Sequence, residues 1–291
     1  MTISGVSSHR LNKPQRRFDK RLLLVLTALV VAAAAAVVYV IWPTSAPTSA
    51  GLTPEAGAGH AGSLVLNDTG SQLASWNQTA SECSSQSIGV ADGAVATDSS
   101  GDTTLTTTGK PGSCVAIISP NTYSSDVIEA RIDFPALPGK SGTIANWTAL
   151  WLTDQATWPV DGELDAVESE PLTGKNAVSW HSGPSSSSVY VASTDGFQQG
   201  KLPIQGPNLT PGWHTVDIVY TKGFFAVYYD GQQFTSYTSS KVTGSALNLI
   251  LNSTVTPKTA AAWNAIGGPE VNSDSSPATT AVQYIRIWSY K

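Results

Sequence analysis

Three carboxylates stand close together in "WPVDGELDAVESEP", Trp158 to Pro171: Glu163, Asp165 and Glu168, with apolar residues between them. Carboxyl groups can donate and accept protons and, when ionised, attack an electrophilic carbon. To act together they must share a face. In a regular strand side chains alternate, so Glu163 and Asp165 lie on one face, Leu164 and Ala166 on the other, and Glu168 falls on the apolar face. A buried, unpaired carboxylate is very costly. One extra residue, a β-bulge at Ala166-Val167, returns Glu168 to the side of Glu163 and Asp165 and leaves both apolar side chains inside; bulges are common beside active sites. The sequence therefore predicts a bulged strand with three acids on one open face. The plainer alternative is three solvated acids on an exposed strand.

The neighbouring strands follow the same alternation. In "NWTALWLT", Trp147, Ala149 and Trp151 face one side, and Leu150 and Leu152 the other. Exposed indole rings offer flat apolar surfaces, so Trp147, Trp151 and Trp158 are candidate platforms beside the acids, with sandwich core as the alternative. Trp180 shares the parity of Val178 and is expected in the core, whereas His181 takes the opposite face. Further along, "HTVDIVYTKGFFAVYYDGQQFTSY" reads as three strands. Thr221-Lys222-Gly223 joins the first two, and Asp230-Gly231, a strong two-residue hairpin signal, joins the last two.

From Ser63 onward the whole chain has this character, with short alternating runs separated by Gly, Pro, Asn and Asp and no amphipathic helix of convincing length. It lacks an internal repeat, which favours one large β-sandwich or jelly roll over two domains. Of the 291 residues 41% are hydrophobic and 13% charged, against roughly 25% charged in an average soluble domain. The formal net charge of -5 provides no basic footprint for nucleic acid. Cys83 and Cys114 can pair in an oxidising compartment or remain two buried thiols.

The N-terminus speaks to the compartment. Residues 1–21 form a basic segment with Arg10, Lys13, Arg16, Arg17, Lys20 and Arg21, and Leu22 to Trp42 runs 21 residues without a charge. That length can cross a hydrocarbon core of about 30 Å, with the basic flank on the cytoplasmic side and the rest exported. Residues 22–42 are thus expected to form a transmembrane signal-anchor, with a cleaved signal peptide as the alternative, since "TSAPTSA" offers small residues to a peptidase. Residues 43–62, rich in Pro, Ala, Gly and Thr, read as a flexible linker, and 63–291 as the β domain.

The acid motif "GELDAVE" resembles the E-x-D-x-x-E signature of glycoside hydrolase family 16 in the bulged form of its laminarinase-like members. The segments "VIEARIDFP" (127–135), "WTALWLT" (147–153), "WPVDGELDAVE" (158–168), "HSG" (181–183), "GWHTVDIVY" (212–220), "VYYDGQQF" (227–234), "LILN" (249–252) and "YIRIW" (284–288) follow in the family's order. The resemblance spans about residues 63–291. It implies an all-β jelly-roll sandwich of two curved antiparallel sheets, here preceded by one N-terminal transmembrane helix, with a sugar chain held on a concave face. It further implies Glu163 as nucleophile, Glu168 as general acid/base and Asp165 as the group between them. By the same resemblance Trp158 and His181 line the cleft, and Arg131 and Asn252 stand near it or serve structural hydrogen bonds, while Trp213 and His214 belong to the framework.

The activity implied is retaining endo-hydrolysis of β-1,3- or mixed β-1,3/1,4-glucan. The alternatives are a transglycosylase of the same fold or a non-catalytic polysaccharide-binding surface module. A polysaccharide substrate, no cofactor, no nucleic acid, a monomeric state and an extracellular domain, tethered or secreted, complete the expectation. Two departures stand out. Gln283 takes the place of an Asp with which many members help bind a structural calcium, so no metal site is expected. After "LILN" the family's Gly-Gly is replaced by "STVTPKTAAAW", which alters the rim.

Overall fold

The computed structural model describes residues 53–78, 83, 90–154, 156–170, 175–183, 189–193, 207–255 and 277–291. All belong to one compact unit, Thr48–Lys291. Residues 22–42 lie outside the described residues, and among the described residues no helix is long and apolar enough to cross a membrane.

The chain order is β1 (Ala61–Thr69), α1 (Gly70–Ala74), β2 (Val90–Ala91), β3 (Ala94–Thr97), β4 (Thr103–Thr106), β5 (Ser113–Tyr123) and β6 (Asp126–Phe134). There follow β7 (Trp147–Thr153), β8 (Glu163–Glu170), β9 (Lys175–His181), β10 (Val189–Ser193) and β11 (Gly212–Thr221). The last four are β12 (Phe224–Tyr229), β13 (Gln232–Thr238), β14 (Leu247–Thr254) and β15 (Thr279–Tyr290). One sheet has eight strands in the order β13-β12-β11-β6-β15-β4-β3, with β1 also on β15; the other has seven, β10-β9-β8-β7-β14-β5-β2. Pairing is antiparallel except between β2 and β5. This is the all-β, two-sheet architecture read from the sequence. The helix α1 is a single turn held by a capping box from Thr69 and Gln72.

Alternation explains which face of each strand is inside. Leu150 and Leu152 of β7, Leu164 of β8, Val178 and Trp180 of β9, and Leu247, Leu249 and Leu251 of β14 meet Ile128, Ala130, Ile132, Val216, Ile218, Phe225 and Val227 of the eight-stranded sheet in one core. Trp180 is fully buried, as its parity predicts, and its indole N–H donates to the Lys241 carbonyl at 3.2 Å. The β11–β12 connection turns at Lys222-Gly223, and in the β12–β13 hairpin both Asp230 (φ 48) and Gly231 (φ 74) have the left-handed backbone such a two-residue turn requires. Cys83 and Cys114 form a disulfide with Cα atoms 5.6 Å apart.

The last residues of the stretch read as linker pack against the sheet. Strand β1 already begins at Ala61, Ala56 is buried, and the His60 ring stacks on Tyr290 with centroids 5.3 Å apart. The Glu55 N–H donates to Glu129 at 2.5 Å. Composition marks this stretch as polar and small, but small residues also suit a chain laid closely against a sheet, and composition alone does not separate the two.

Beneath this segment lies a pair of buried acids. Asp217 of β11 is directly opposite Glu129 of β6, and both are buried. Glu129 is paired with Arg286 at 3.4 Å. The Ala56 N–H and the Glu129 carboxyl approach Asp217, yet neither of its oxygens closes a well-formed hydrogen bond. Burial first, and then the Glu129 charge, push the Asp217 carboxyl from 3.8 up to about 9.

Candidate active site

Strand β8 carries the predicted bulge. Leu150 of β7 is opposite Val167 while the next residue, Trp151, is opposite Asp165; on the other side Ser179 faces Asp165 and Ala177 faces Glu168. Both partner strands therefore find one extra residue at Ala166-Val167, and both of those side chains are fully buried in the core. A bulge leaves a backbone group outside the ladder. Here the Ala166 carbonyl accepts a 2.7 Å hydrogen bond from the buried Tyr229 hydroxyl, which reaches across from β12 in the opposite sheet. Burial, reinforced by the Glu168 charge, holds the Tyr229 pKa well above its usual value, so the hydroxyl stays a donor.

The start of β8 is fixed just as closely. Gly162 adopts φ +108, and a Cβ there would lie 2.4 Å from the Trp180 ring. No residue with a side chain fits that position without moving the core. Thr243 donates its hydroxyl to the Asp161 carbonyl, tying the preceding residue to the β13–β14 connection. Glu163 follows at once, so the first acid is positioned by a tight glycine and a buried indole.

On the face turned away from the core, Glu163, Asp165 and Glu168 come together with His181 and Ser179. His181 Nε2 lies 3.6 Å from Glu163 Oε1 and 3.3 Å from Asp165 Oδ2. Ser179 Oγ lies 2.7 Å from Asp165 Oδ2 and 2.6 Å from Glu168 Oε2. Glu163 and Asp165 are buried and Glu168 is half-buried. Burial, then the Asp165 charge, push the Glu163 carboxyl well up, while the His181 charge and a hydrogen bond from the Trp158 side chain draw it back. Burial alone would lower His181, but the hydrogen bond and charge of Asp165, with Glu163 and Glu168 behind, raise it from 6.5 to about 9. The site thus holds a cationic imidazole among carboxyls at neutral pH, and its charge offsets part of the upward push on Glu163.

Asn252 and the tryptophans share this face. Trp151 is 8% exposed and packs with Ile118, Ala149 and Ile250, so it forms the floor more than an open platform. Its indole N–H donates to Asn252 Oδ1 at 2.8 Å, and Asn252 in turn donates to Thr254 at 3.3 Å. Asn252 therefore orients the floor. Trp147 packs half-buried against the same cluster. Trp158 is 43% exposed beside His181, with ring centroids 6.4 Å apart, and offers the broadest open aromatic surface.

Arg131 is not part of this site. It sits on β6 of the eight-stranded sheet, donates to Thr215 at 3.0 Å and lies over the Trp213 ring at 6.0 Å, on the outside of the opposite layer. Of the roles left open for it, the structural one is what the structure shows. His214 pairs with Asp230 at 2.6 Å on the same strand as Trp213, consistent with framework. Ser179 and Tyr229 are the contributors that sequence reasoning passed over. The alternation of β9 places Ser179 on the face of His181, so that signal was present; nothing in the sequence ties Tyr229 to Ala166. Among the described residues, the groups close enough to share a cation are Glu163, Asp165 and His181, whose ligating atoms lie within 4.8 Å of one another. The altered "STVTPKTAAAW" rim lies beyond the described residues from position 256.

The fold is a two-sheet β-sandwich with a bulged, acid-bearing strand on a face turned away from the core. Residues 70–206 match the family model described as the XgeA-like, catalytic GH16 domain. The fold also matches the laminarinase catalytic domain of Thermotoga maritima at TM-score 0.57 and 16% identity, covering 78% of this chain and 97% of that one. The laminarinase of Rhodothermus marinus matches at TM-score 0.59 and 15% identity, covering 78% and 97%. A Bacteroides ovatus family 16 protein from a mixed-linkage glucan locus, solved with a G4G4G3G product, matches at TM-score 0.53 and 16% identity, covering 76% and 99%. No curated protein matches the chain. Residues 70–206 thus resemble the catalytic domain of glycoside hydrolase family 16, and the fold is the one seen in the laminarinases.

Proposed function

We propose that this protein is a retaining endo-β-glycanase that cleaves β-1,3- or mixed β-1,3/1,4-glucan through a covalent glycosyl-enzyme. The observation that carries this reading is the bulge, which sets Glu163 and Glu168 on one open face with Asp165 between them. In the first step the Glu163 carboxylate attacks the anomeric carbon while Glu168 gives its proton to the departing glycosidic oxygen. In the second, Glu168 takes a proton from water, the water oxygen attacks the same carbon, and the bond to Glu163 breaks. Retaining enzymes hold the two carboxyls about 5–5.5 Å apart, with no room for the water that an inverting enzyme places between them. Trp158 is suited to stack on a sugar ring next to the point of cleavage. The laminarinases and the mixed-linkage glucan protein among the structural neighbours favour a β-glucan as substrate.

The test is stereochemical. Proton NMR of the first product from laminarin or lichenan shows the β-anomer before mutarotation; an initial α-anomer would overturn the assignment of Glu163 as nucleophile. Sizing the products of the same reactions against xyloglucan, agarose and carrageenan identifies the substrate, and products longer than the starting chain would reveal transfer to sugar.

The proposal includes a place of action. The basic residues of 1–21 and the uncharged run Leu22–Trp42 support an exported, membrane-tethered enzyme acting as a monomer. Full-length protein is expected in the membrane fraction, with the β domain open to protease added from the non-cytoplasmic side. A mature N-terminus sequenced between Ala46 and Gly62 would establish a secreted form instead.

A further inference from the structure

Ser179 makes two contacts that cannot both be donated. Its Oγ lies 2.7 Å from Asp165 Oδ2 and 2.6 Å from Glu168 Oε2, and a serine hydroxyl has one proton and two lone pairs. It can give its proton to one of these carboxyls. The other contact is a hydrogen bond only if that carboxyl carries a proton of its own. His181 decides which one does. Its Nε2 lies 3.3 Å from the same Asp165 Oδ2 that Ser179 touches, so this oxygen is placed to accept from both sides and Asp165 is the ionised member. The remaining proton belongs on Glu168, whose Oε2–H donates to the Ser179 oxygen.

We infer that Ser179 is a positioning residue which, within the chain His181–Asp165–Ser179–Glu168, keeps a proton on Glu168 and aims that carboxyl at the glycosidic oxygen. The inference deepens the proposed reaction and rests on Glu168 being its acid/base. During glycosyl transfer the Glu168 O–H bond breaks and an O–H bond forms on the leaving sugar. Ser179 keeps its own proton and swivels it from Asp165 toward the new Glu168 carboxylate. When Glu168 then takes a proton from water, the hydroxyl turns back. One hydroxyl therefore serves both protonation states of a residue that must alternate between acid and base. The titratable groups around Glu168 are Glu163 and Asp165 on its own strand, His181 on β9 and the Tyr229 hydroxyl from β12, while β7 presents Ala149 opposite it.

The variants Ser179→Ala and Ser179→Thr separate this role from simple support of the fold. With a natural glucan, whose leaving oxygen needs a proton, Ser179→Ala lowers kcat by about 10- to 100-fold. With a dinitrophenyl β-glycoside, which departs without one, the loss stays within about threefold. The alkaline limb of its kcat/KM profile moves to lower pH by about one pH unit, the size of a hydrogen bond to one protonation state. Ser179→Thr restores most of the activity. Equal losses on both substrates, an unmoved alkaline limb, or a folded Ser179→Thr as poor as Ser179→Ala would overturn the inference.

If the wild-type protein cleaves neither substrate, the proposed reaction itself fails, and infrared titration still decides the role of Ser179. A protonated-carboxyl band that disappears in Glu168→Gln must be present at neutral pH and must weaken in Ser179→Ala. Its absence from the wild type, or its indifference to Ser179→Ala, would overturn the inference on its own.

Discussion

Glu163→Gln abolishes hydrolysis of a natural β-glucan, lowering kcat by on the order of 10^4-fold or more, while circular dichroism and thermal melting stay close to wild type. In the proposed reaction the amide keeps the shape of the side chain but cannot form the glycosyl-enzyme, and no neighbouring carboxylate is placed to replace it: Asp165 is engaged by His181 and Ser179, and Glu168 is assigned the role of acid. Glu168→Gln falls to a comparable level on glucan. It differs on activated aryl glycosides, where azide, small enough to enter beside the missing carboxylate, restores turnover and leaves as the β-glycosyl azide. Asp165→Asn is milder, because it removes a charge beside the nucleophile without removing a reacting group. Near-wild-type turnover in both Glu variants would sink the catalytic assignment.

The other large effect is on stability, far from the acids. The Asp217 carboxyl has an ordinary pKa of 3.8, which the unfolded chain keeps, and a folded value of about 9, raised by burial and then by Glu129. The sign follows from proton counting: above pH 3.8 the unfolded chain releases this proton while the folded protein keeps it, so the group lowers stability progressively up to about pH 9. At neutral pH the penalty is on the order of a few kcal/mol, since a tenfold difference in proton affinity between the two states corresponds to about 1.4 kcal/mol. Asp217→Asn removes the ionisation at nearly the same volume. The expected result is a melting temperature higher by about 5–10 °C at pH 8, with little gain at pH 4. A variant that melts at or below the wild type at pH 8, or that gains equally at both pH values, would refute the claim that proton binding sets this cost.

Much of the site was legible because alternation is a strict rule. The position of Glu168 was an error in a plain strand and a requirement in a bulged one, and that conflict located the bulge. The left-handed demand of Asp230-Gly231 likewise fixed a hairpin without any knowledge of the fold. Arg131 shows where the rule stops. Parity says that a side chain points away from the core, but both sheets of a sandwich have such a face, and the sequence does not say which layer a strand joins. Tyr229 was hidden for a related reason: its partner is 63 residues away and on the other sheet, and local pattern carries no information about such a pairing. Residues 53–62 look like linker by composition, and only the sheet they lie on turns Ala56 and His60 into packing residues.

The hydrogen bond from Tyr229 to the Ala166 carbonyl separates two tasks that share one strand. The bulge that brings Glu163 and Glu168 to one face is held from behind, by the opposite sheet, whereas Trp158, Trp151 and Asn252 lie on the outer face, where the proposed substrate would be read. Loops on that outer side can therefore drift in length and composition without altering the distance on which bond cleavage depends. The acids and the outer aromatic surface can thus vary separately, and what divides them is a single phenol buried on the far side of the strand.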